Sequence, residues 1–350
     1  MGSAAWPGAL VMTGTLPQPY LLFLGDECDP AHAKTAFGLR DWARAACVGE
    51  YALPESSVTT GLPRLTPEEA YRSGARSMVI GIAPAGGALR PTWIPALNAA
   101  LEAGLDLISG MHGRLADTMV LDATARRLGR QLFDVRRPPS GIPTATGRRR
   151  TGRRLLTVGT DCALGKKYTA LSIARELRSR GVSADFRATG QTGILIAGAG
   201  IPIDAVVADF VAGAAELLTP DASPDHWDIV EGQGSLFHPA YAGVSLGLLH
   251  GTQPDVIVVC HDPSRLEVAG HPGFSIPTLE EVIAQNLALG RRTNAAIRCA
   301  GISLNTSKMS TASAQACLSS YAARLNLPCA DPIRGGPELR QLVDAVLGDP

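Results

Sequence analysis

Residues 155–166 read LLTVGTDCALGK, an apolar run followed by a glycine-bounded segment and a lysine. The run Leu155–Val158 predicts a buried strand, and a helix is predicted from Lys166 to Arg180. Glycines let the backbone between them wrap around an anion, and the N-terminus of the helix adds its positive end. Lys166 would place a point charge against a phosphate. The segment therefore predicts a phosphate-binding loop between a strand and a helix.

The loop departs from the common Walker pattern in two ways. Five residues separate Gly159 from Gly165 instead of four, a variant that resembles the dethiobiotin-synthetase-like P-loop proteins, which also begin Gly-Thr-Asp. Lys167 stands where P-loop NTPases carry a Ser or Thr hydroxyl that ligates Mg²⁺. A second cation there weakens the case for nucleotide hydrolysis but leaves binding of a phosphate-bearing ligand intact. The predicted cofactor-binding residues are Gly159, Thr160, Asp161, Cys162, Gly165, Lys166, Lys167 and Tyr168. Cys162 is interpreted as a small residue lining the loop, with a nucleophilic thiol as the alternative.

Short apolar runs alternate with helical patterns on both sides of this loop, which predicts an α/β fold with mainly parallel sheets covered by helices. In the first half, strands are predicted at 20–24, 46–48, 77–82 and 105–108, and helices at 31–44 and 93–103. In the second half, strands are predicted at 228–230, 256–260 and 300–304. A short helix should begin at Pro67, with Thr66 as its N-cap. The GxGxxG fingerprint is absent from the first half, so a dinucleotide cofactor is not supported.

The composition changes between Arg136 and Arg154, where arginines and turn residues replace apolar periodicity. We interpret this segment as a solvated basic linker, with attraction of phosphate as the alternative. The predicted domains are therefore 1–135 and 155–350, joined by the linker 136–154. The length of 350 residues, at about 150 residues per domain, also favours two domains.

Charge and cysteine content narrow the functional classes. The chain has 32 Lys+Arg and 32 Asp+Glu, and this balance argues against nucleic acid or an anionic membrane as a partner. Seven cysteines without a CxxC pair indicate reduced thiols in a cytoplasmic protein. His250, His261 and His271 lack HxxxH spacing, so we expect no catalytic metal. No window approaches the roughly 20 apolar residues of a membrane span, and Met1–Pro19 does not resemble a signal peptide.

Further polar segments should converge with the loop, because ligands bind beyond the carboxyl ends of the strands in open α/β sheets. These segments are 186–193, 203–210 and 231–235. Glu231 or His238 could deprotonate an amine, and Asp209 could orient an ammonium group. The alternatives are a carboxylate satisfied by its own glycine turn for Glu231 and a capped turn histidine for His238. The predicted substrate-binding residues are Arg187, Thr189, Gln191, Gln233, Ser235 and Arg265. The two arginines are carboxylate ligands in this interpretation and ordinary surface residues in the alternative.

The chain resembles the D-glutamate N-acetyltransferase family, long catalogued only as a domain of unknown function. In the second half the resemblance rests on the loop 159–166, on 186–193, Asp209-Phe210 and 231–235. The segments in the first half are Lys34-Thr35-Ala36, Gly81-Ile82-Ala83-Pro84, Gly86-Gly87 and Ser109-Gly110-Met111-His112. The resemblance spans about residues 20–335. It implies a Rossmann-like N-terminal domain and a P-loop-like C-terminal domain. It also implies transfer of an acetyl group from acetyl-CoA to the amino group of a D-amino acid, with D-glutamate as the type substrate.

Coenzyme A suits the predicted loop. It carries a pyrophosphate and a 3′-phosphate, which a loop without the metal-binding hydroxyl can hold without hydrolysing anything. The leading hypothesis is therefore an acetyl-CoA-dependent N-acetyltransferase. The first alternative is an ATP- and Mg²⁺-dependent ligase similar to dethiobiotin synthetase, and the second is a non-catalytic nucleotide sensor. The expected partner is a small amino acid, and homo-oligomers are expected on general grounds for a two-domain enzyme.

Overall fold

The computed structural model describes residues 16–83 and 87–348, which form two compact units. The first unit runs to Pro139 and also includes Gly190–Pro202, and the second comprises Ser140–Thr189 and the chain from Ile203 onward. The predicted domains place residues 190–202 in the second domain, whereas in the structure this excursion of the chain belongs to the first unit. Pro84 and Gly86, which belong to the segments that carry the family resemblance, and most of the segment Met1–Pro19 lie outside the described residues.

Each unit is built around one sheet in which the strands pair in parallel, as predicted from the alternation of strands and helices. The strands are β1 (Tyr20–Gly25), β2 (Cys47–Ala52), β3 (Ser77–Ile80), β4 (Asp106–Ser109), β5 (Leu132–Asp134), β6 (Arg153–Gly159), β7 (Ala184–Arg187), β8 (Trp227–Val230), β9 (Val256–His261), β10 (Arg298–Leu304) and β11 (Cys329–Ala330). The α-helices are α1 (Lys34–Trp42), α2 (Pro67–Arg72), α3 (Ile94–Glu102), α4 (Met119–Leu128), α5 (Lys166–Ser179), α6 (Gln191–Ala197), α7 (Val211–Leu218), α8 (Ala242–Thr252), α9 (Leu279–Gly290), α10 (Thr311–Leu325) and α11 (Pro337–Leu347).

The first unit has the strand order β2-β1-β3-β4-β5. Strand β1 is buried along its whole length, as a parallel sheet covered on both faces requires. The predicted start of α2 is confirmed, because the Thr66 hydroxyl accepts a hydrogen bond from Glu69 N while the Glu69 carboxylate accepts one from Thr66 N. The excursion supplies α6 to this unit, where the Thr35 and Thr192 hydroxyls form a buried hydrogen bond of 2.9 Å.

The second unit has the strand order β11-β10-β9-β6-β8-β7. Strand β6 lies between β9 and β8, so the carboxyl ends of these three strands meet at one edge of the sheet. Helix α5 begins at Lys166 as predicted, and its apolar face packs on the sheet through Ile173 and Leu177. Across the part of the chain that the structure describes, no helix combines the length and the apolar character needed to cross a bilayer. The seven cysteines are free thiols.

The arginine-rich segment is only partly solvated, and our interpretation is wrong for Arg150 and Arg154, which are buried. Arg150 Nε donates to Thr219 O at 2.6 Å, and its Nη2 donates to Gly251 O at 2.7 Å. These carbonyls lie at the C-terminal ends of α7 and α8, where helices leave acceptors unsatisfied and favour a cation. Burial lowers the pKa of Arg150 to about 10. Arg154 Nη2 in turn donates to Arg150 O at 2.9 Å.

The close approach of α7 to the segment after the first unit gives a stability prediction. A Cβ at Gly213 would lie 1.9 Å from Pro143 O, which is a backbone atom, so Gly213→Ala should destabilise the protein by about 1–3 kcal/mol through overpacking. A Cβ at Gly243 on α8 would meet no atom within 4 Å, so Gly243→Ala should instead stabilise the protein by about 0.5 kcal/mol through helix propensity. Urea unfolding followed by circular dichroism measures both. Equal stability of the two variants would contradict this packing of residue 143 on α7.

Candidate functional site

The predicted loop lies between β6 and α5, and its backbone turns sharply. Ala163 and Gly165 have φ angles of 54° and 111°, in the left-handed region. The ammonium group of Lys166 is buried, and its Nζ donates to Asp161 O at 2.7 Å. Burial lowers the pKa of Lys166, because the charged form loses its hydration. The lysine is therefore folded into the loop that would surround an anion.

Asp161 connects the loop to a distant segment of the unit. Its carboxylate is fully buried and accepts hydrogen bonds from Arg265 Nη1 at 2.6 Å and from Ala269 N at 2.9 Å. A third hydrogen bond comes from Cys162 N at 2.5 Å. Burial alone would raise the pKa of Asp161, but these donors together hold it below its ordinary value. Arg265, predicted to bind a substrate carboxylate, thus binds a carboxylate of the loop itself, and its Nη1 also donates to Cys162 O at 2.7 Å.

The end of β8 forms a second polar cluster beside the loop. Glu231 is buried, and its Oε2 accepts a hydrogen bond from Thr189 N at 3.0 Å. The Thr189 hydroxyl donates to Glu231 O at 2.6 Å and accepts from Gln233 Nε2 at 2.9 Å. Gly232 packs against the loop so closely that a Cβ there would lie 1.6 Å from Thr157 O and 3.1 Å from Lys166 Cδ. The structure therefore brings the 186–189 and 231–235 segments to the loop.

His238 lies in the turn after β8 and is buried. Its Nδ1 accepts a hydrogen bond from Ala240 N at 3.1 Å, and its Nε2 lies 3.8 Å from Asp161 Oδ1. Burial lowers the pKa of His238 and so favours the uncharged ring, whose Nε2 faces Asp161. This is the arrangement expected of the turn histidine alternative, and a role as general base stays a prediction.

The remaining predicted residues are distributed more widely. Arg187 Nε donates to Asp228 Oδ1 at 2.6 Å, so a substrate carboxylate would compete with a protein carboxylate. Asp209 is exposed on a single 3-10 turn before α7, and Gln191 opens α6 in the first unit. Ser235 Oγ donates to Thr160 O at 3.2 Å and braces the loop. On the first turn of α5, the ammonium of Lys167 lies 5.0 Å from the centre of the Tyr168 ring.

Sequence spacing missed one cluster. Potential ligand atoms of Asp161, Cys162 and His238 lie within 4.8 Å of one another, although the histidine is far from the other two in the chain. The surrounding charges are positive, because Arg265 binds the Asp161 carboxylate and Lys166 lies in the same loop. Such surroundings favour an anion or a thiolate over a metal cation. The expectation of no catalytic metal stays a prediction.

Comparisons with known proteins cover both units. Residues 142–343 match the family described as a domain of unknown function (DUF1611_C), P-loop domain, and residues 46–138 match the DUF1611_N Rossmann-like domain. A D-glutamate N-acetyltransferase from Tritonibacter scottomollicae is 48% identical over 328 residues, which cover 94% of this chain and 98% of that protein. Another from Pseudoalteromonas sp. is 45% identical over 318 residues, covering 91% and 96%.

A solved structure supports the same relationship. The crystal structure of a DUF1611 family protein from Anabaena variabilis is 32% identical to this chain, with a TM-score of 0.85. The match covers 94% of this chain and 99% of that one. The predicted combination of a Rossmann-like domain with a P-loop domain is therefore confirmed.

The pairing of Asp161 with Arg265 gives a prediction for stability. Arg265→Ala removes a charged hydrogen bond from a buried carboxylate and should lower the free energy of unfolding by about 1.5–3 kcal/mol. The matched control is Arg148→Ala, which breaks an exposed ion pair with Asp221 and should cost much less. In an Asp161→Asn background, Arg265→Ala should also cost less. Denaturant unfolding of the four combinations measures this coupling, and additive effects would contradict it.

The Asp161 carboxylate also makes the free energy of unfolding depend on pH. The pKa of Asp161 is lower in the folded than in the unfolded protein. The carboxylate therefore contributes its full stabilisation above its pKa in the unfolded chain, which is about 3.9. The contribution is lost as the pH falls through the folded-state pKa. Asp161→Asn should therefore lose less stability than the wild type on acidification over that range.

Proposed function

The chain belongs to the DUF1611 family and is similar to two D-glutamate N-acetyltransferases, and on that premise we propose that it transfers the acetyl group of acetyl-CoA to the amino group of D-glutamate or a closely related D-amino acid. Membership makes the protein an N-acetyltransferase. The donor and the acceptor are the content of the proposal. The observation that carries it is the phosphate loop with a buried lysine and a second lysine where a metal-binding hydroxyl would stand.

The loop suits coenzyme A because it offers positive charge without a magnesium ligand at the usual position. The Asp161 carboxylate is bound by Arg265, whereas Lys166 Nζ donates to the Asp161 carbonyl oxygen. The N-terminus of α5 adds its positive end. A pyrophosphate bound here would contact hydrogen-bond donors and positive charge, and Lys167 would add a further donor and a further positive charge. The competing function, an ATP- and Mg²⁺-dependent ligase, would need a metal ligand where Lys167 stands.

In the proposed reaction an uncharged amine attacks the thioester carbonyl, the C–S bond breaks and coenzyme A leaves as its thiolate, while a neighbouring group takes the proton that the amine releases. We assign this role to Glu231, which lies at the carboxyl end of β8, the strand next to β6. Its Oε2 is oriented by Thr189 N. Since the loop holds the phosphates, the pantetheine arm must run over the end of β8 to bring the thioester to Glu231. Asp209, which is exposed, is proposed to orient the ammonium group of the incoming amino acid.

Replacing the loop lysine tests the phosphate site. Lys166→Ala should raise the KM for acetyl-CoA by one to two orders of magnitude and leave the KM for D-glutamate nearly unchanged, because only the donor carries phosphates. The matched control is Lys308→Ala, an exposed lysine of the same unit. Calorimetric titration with acetyl-CoA, and with ATP plus Mg²⁺ in parallel, accompanies the kinetics. An unchanged KM would overturn the loop assignment, and binding of Mg-ATP alone would favour the ligase.

A second substitution tests the proton acceptor. Glu231→Gln keeps an oxygen to accept from Thr189 N but loses the basic carboxylate. It should lower kcat by at least about 100-fold with little effect on the KM for acetyl-CoA or on the melting temperature. If Glu231 is instead a carboxylate satisfied by its own turn, kcat would remain close to that of the wild type. Steady-state kinetics with D-glutamate, together with thermal unfolding, separates the two outcomes.

A further inference from the structure

The segment that follows β9 folds back on itself as a short hairpin, residues 265–276. Val268 N donates to Phe274 O at 2.8 Å, and Ile276 N donates to Leu266 O at 2.9 Å. Glu267 and Ser275 pair as an antiparallel bridge within it. The hairpin therefore has a defined backbone rather than an irregular course.

The hairpin is tied to the phosphate loop through one residue. Ala269 N, at its tip, and Arg265, at its base, both donate to Asp161 Oδ2. Because that carboxylate is buried in the loop, the position of the hairpin is coupled to the shape of the loop. Any surface that the hairpin presents is thus held at the edge of the phosphate site.

The hairpin presents aromatic surface there. Four rings follow one another, which we call the ring row: Tyr241, His238, His271 and Phe274. Their centroids are separated in turn by 4.4, 4.9 and 6.2 Å. Both end members are 51% exposed, and Leu266 on the hairpin is 80% exposed. The second member, His238, lies next to Asp161, so the ring row passes the loop at that member, and His271 and Phe274 continue from there. Clustered exposed apolar groups of this kind mark ligand or partner sites.

We infer that the Phe274 end of the ring row binds the adenine ring of coenzyme A, an inference that rests on the proposed function of the loop. In coenzyme A a single ribose separates the adenine from the 5′-pyrophosphate and carries the 3′-phosphate. The base must therefore lie close to the phosphate site, within reach of the rings that continue from His238. Bases stack readily on exposed aromatic faces, and a flat ring with π-faces matches Phe274 better than the flexible, polar pantetheine arm does.

The sheet order supports the same direction. Strand β9, which leads into the hairpin, and strand β8, which leads into Glu231, lie on opposite sides of β6. A pyrophosphate in the loop at the end of β6 lies between the two. With adenine on the β9 side, the pantetheine arm extends toward β8, where Glu231, the proposed proton acceptor, lies. The reverse orientation would carry the thioester away from Glu231.

The test is calorimetric titration of the full-length protein with three probes: coenzyme A, adenosine 3′,5′-bisphosphate and inorganic pyrophosphate. Phe274→Ala should weaken binding of the first two about tenfold and leave pyrophosphate unchanged, because only the first two contain the base. Phe274→Leu keeps the apolar surface without the ring and should lose nearly as much. The matched control is Met119→Ala, which truncates a side chain of a residue that is 84% exposed on α4 and should bind as the wild type does.

Several results would overturn the inference. Wild-type affinity of Phe274→Ala for both adenine-containing probes would do so, as would an equal loss for pyrophosphate, which would mean that the hairpin acts only through Asp161. A raised KM for S-acetylpantetheine with unchanged bisphosphate affinity would assign the surface to the arm instead. Failure of the proposed function reads out differently, because the wild type itself would then neither bind coenzyme A nor form N-acetyl-D-glutamate.

Discussion

A buried carboxylate holds the phosphate loop in shape. Asp161 has no exposed surface, and an isolated charge in that position would be strongly unfavourable. Its oxygens are satisfied by two backbone N–H groups and by Arg265, which brings in a segment more than one hundred residues further along the chain. The loop is therefore shaped by a tertiary contact as much as by its glycines. The hairpin 265–276 is held in place by the same contact.

This pairing also determines what the loop offers to a ligand. Because Arg265 neutralises Asp161, Lys166 does not need to, and its Nζ donates to a carbonyl oxygen instead. The positive charge of the lysine and the N-terminus of α5 remain directed into the loop. In P-loop NTPases the residue after the lysine ligates Mg²⁺, and here it is Lys167. The strand, loop and helix of the P-loop architecture are thus kept. The hydroxyl residue that ligates Mg²⁺ in the hydrolases is replaced here by a second lysine, Lys167.

Local patterns in the sequence were sufficient to predict most of the strands, helices α1, α2, α3 and α5, and the loop, because hydrophobic periodicity and caps such as Thr66 act over a few residues. Contacts between distant residues were not predictable. Arg265 reads as a free guanidinium in the sequence, and only the fold shows its partner in the loop. Arg150 reads as solvated in the sequence, yet it binds carbonyl groups at the ends of α7 and α8, and those ends meet the segment only in three dimensions. Arg154 also reads as solvated but is buried and donates to Arg150 O. The aromatic rings around His238 likewise come from separate parts of the chain.

The order of the strands places different side chains on the two sides of the phosphate loop. A cofactor with phosphates at its centre has two ends, and β6 has a different neighbour on each side. On the β9 side, the hairpin offers aromatic surface, and its carboxylate Glu267 accepts a hydrogen bond from Gly273 N within the hairpin. On the β8 side, Glu231 and Thr189 offer a buried carboxylate and a network of hydrogen bonds. A base stacks on the first kind of surface, and a proton is transferred at the second kind. In the proposed binding mode, the position of the loop between the two surfaces orients coenzyme A, because its two ends require different chemistry and the two surfaces lie on opposite sides of β6.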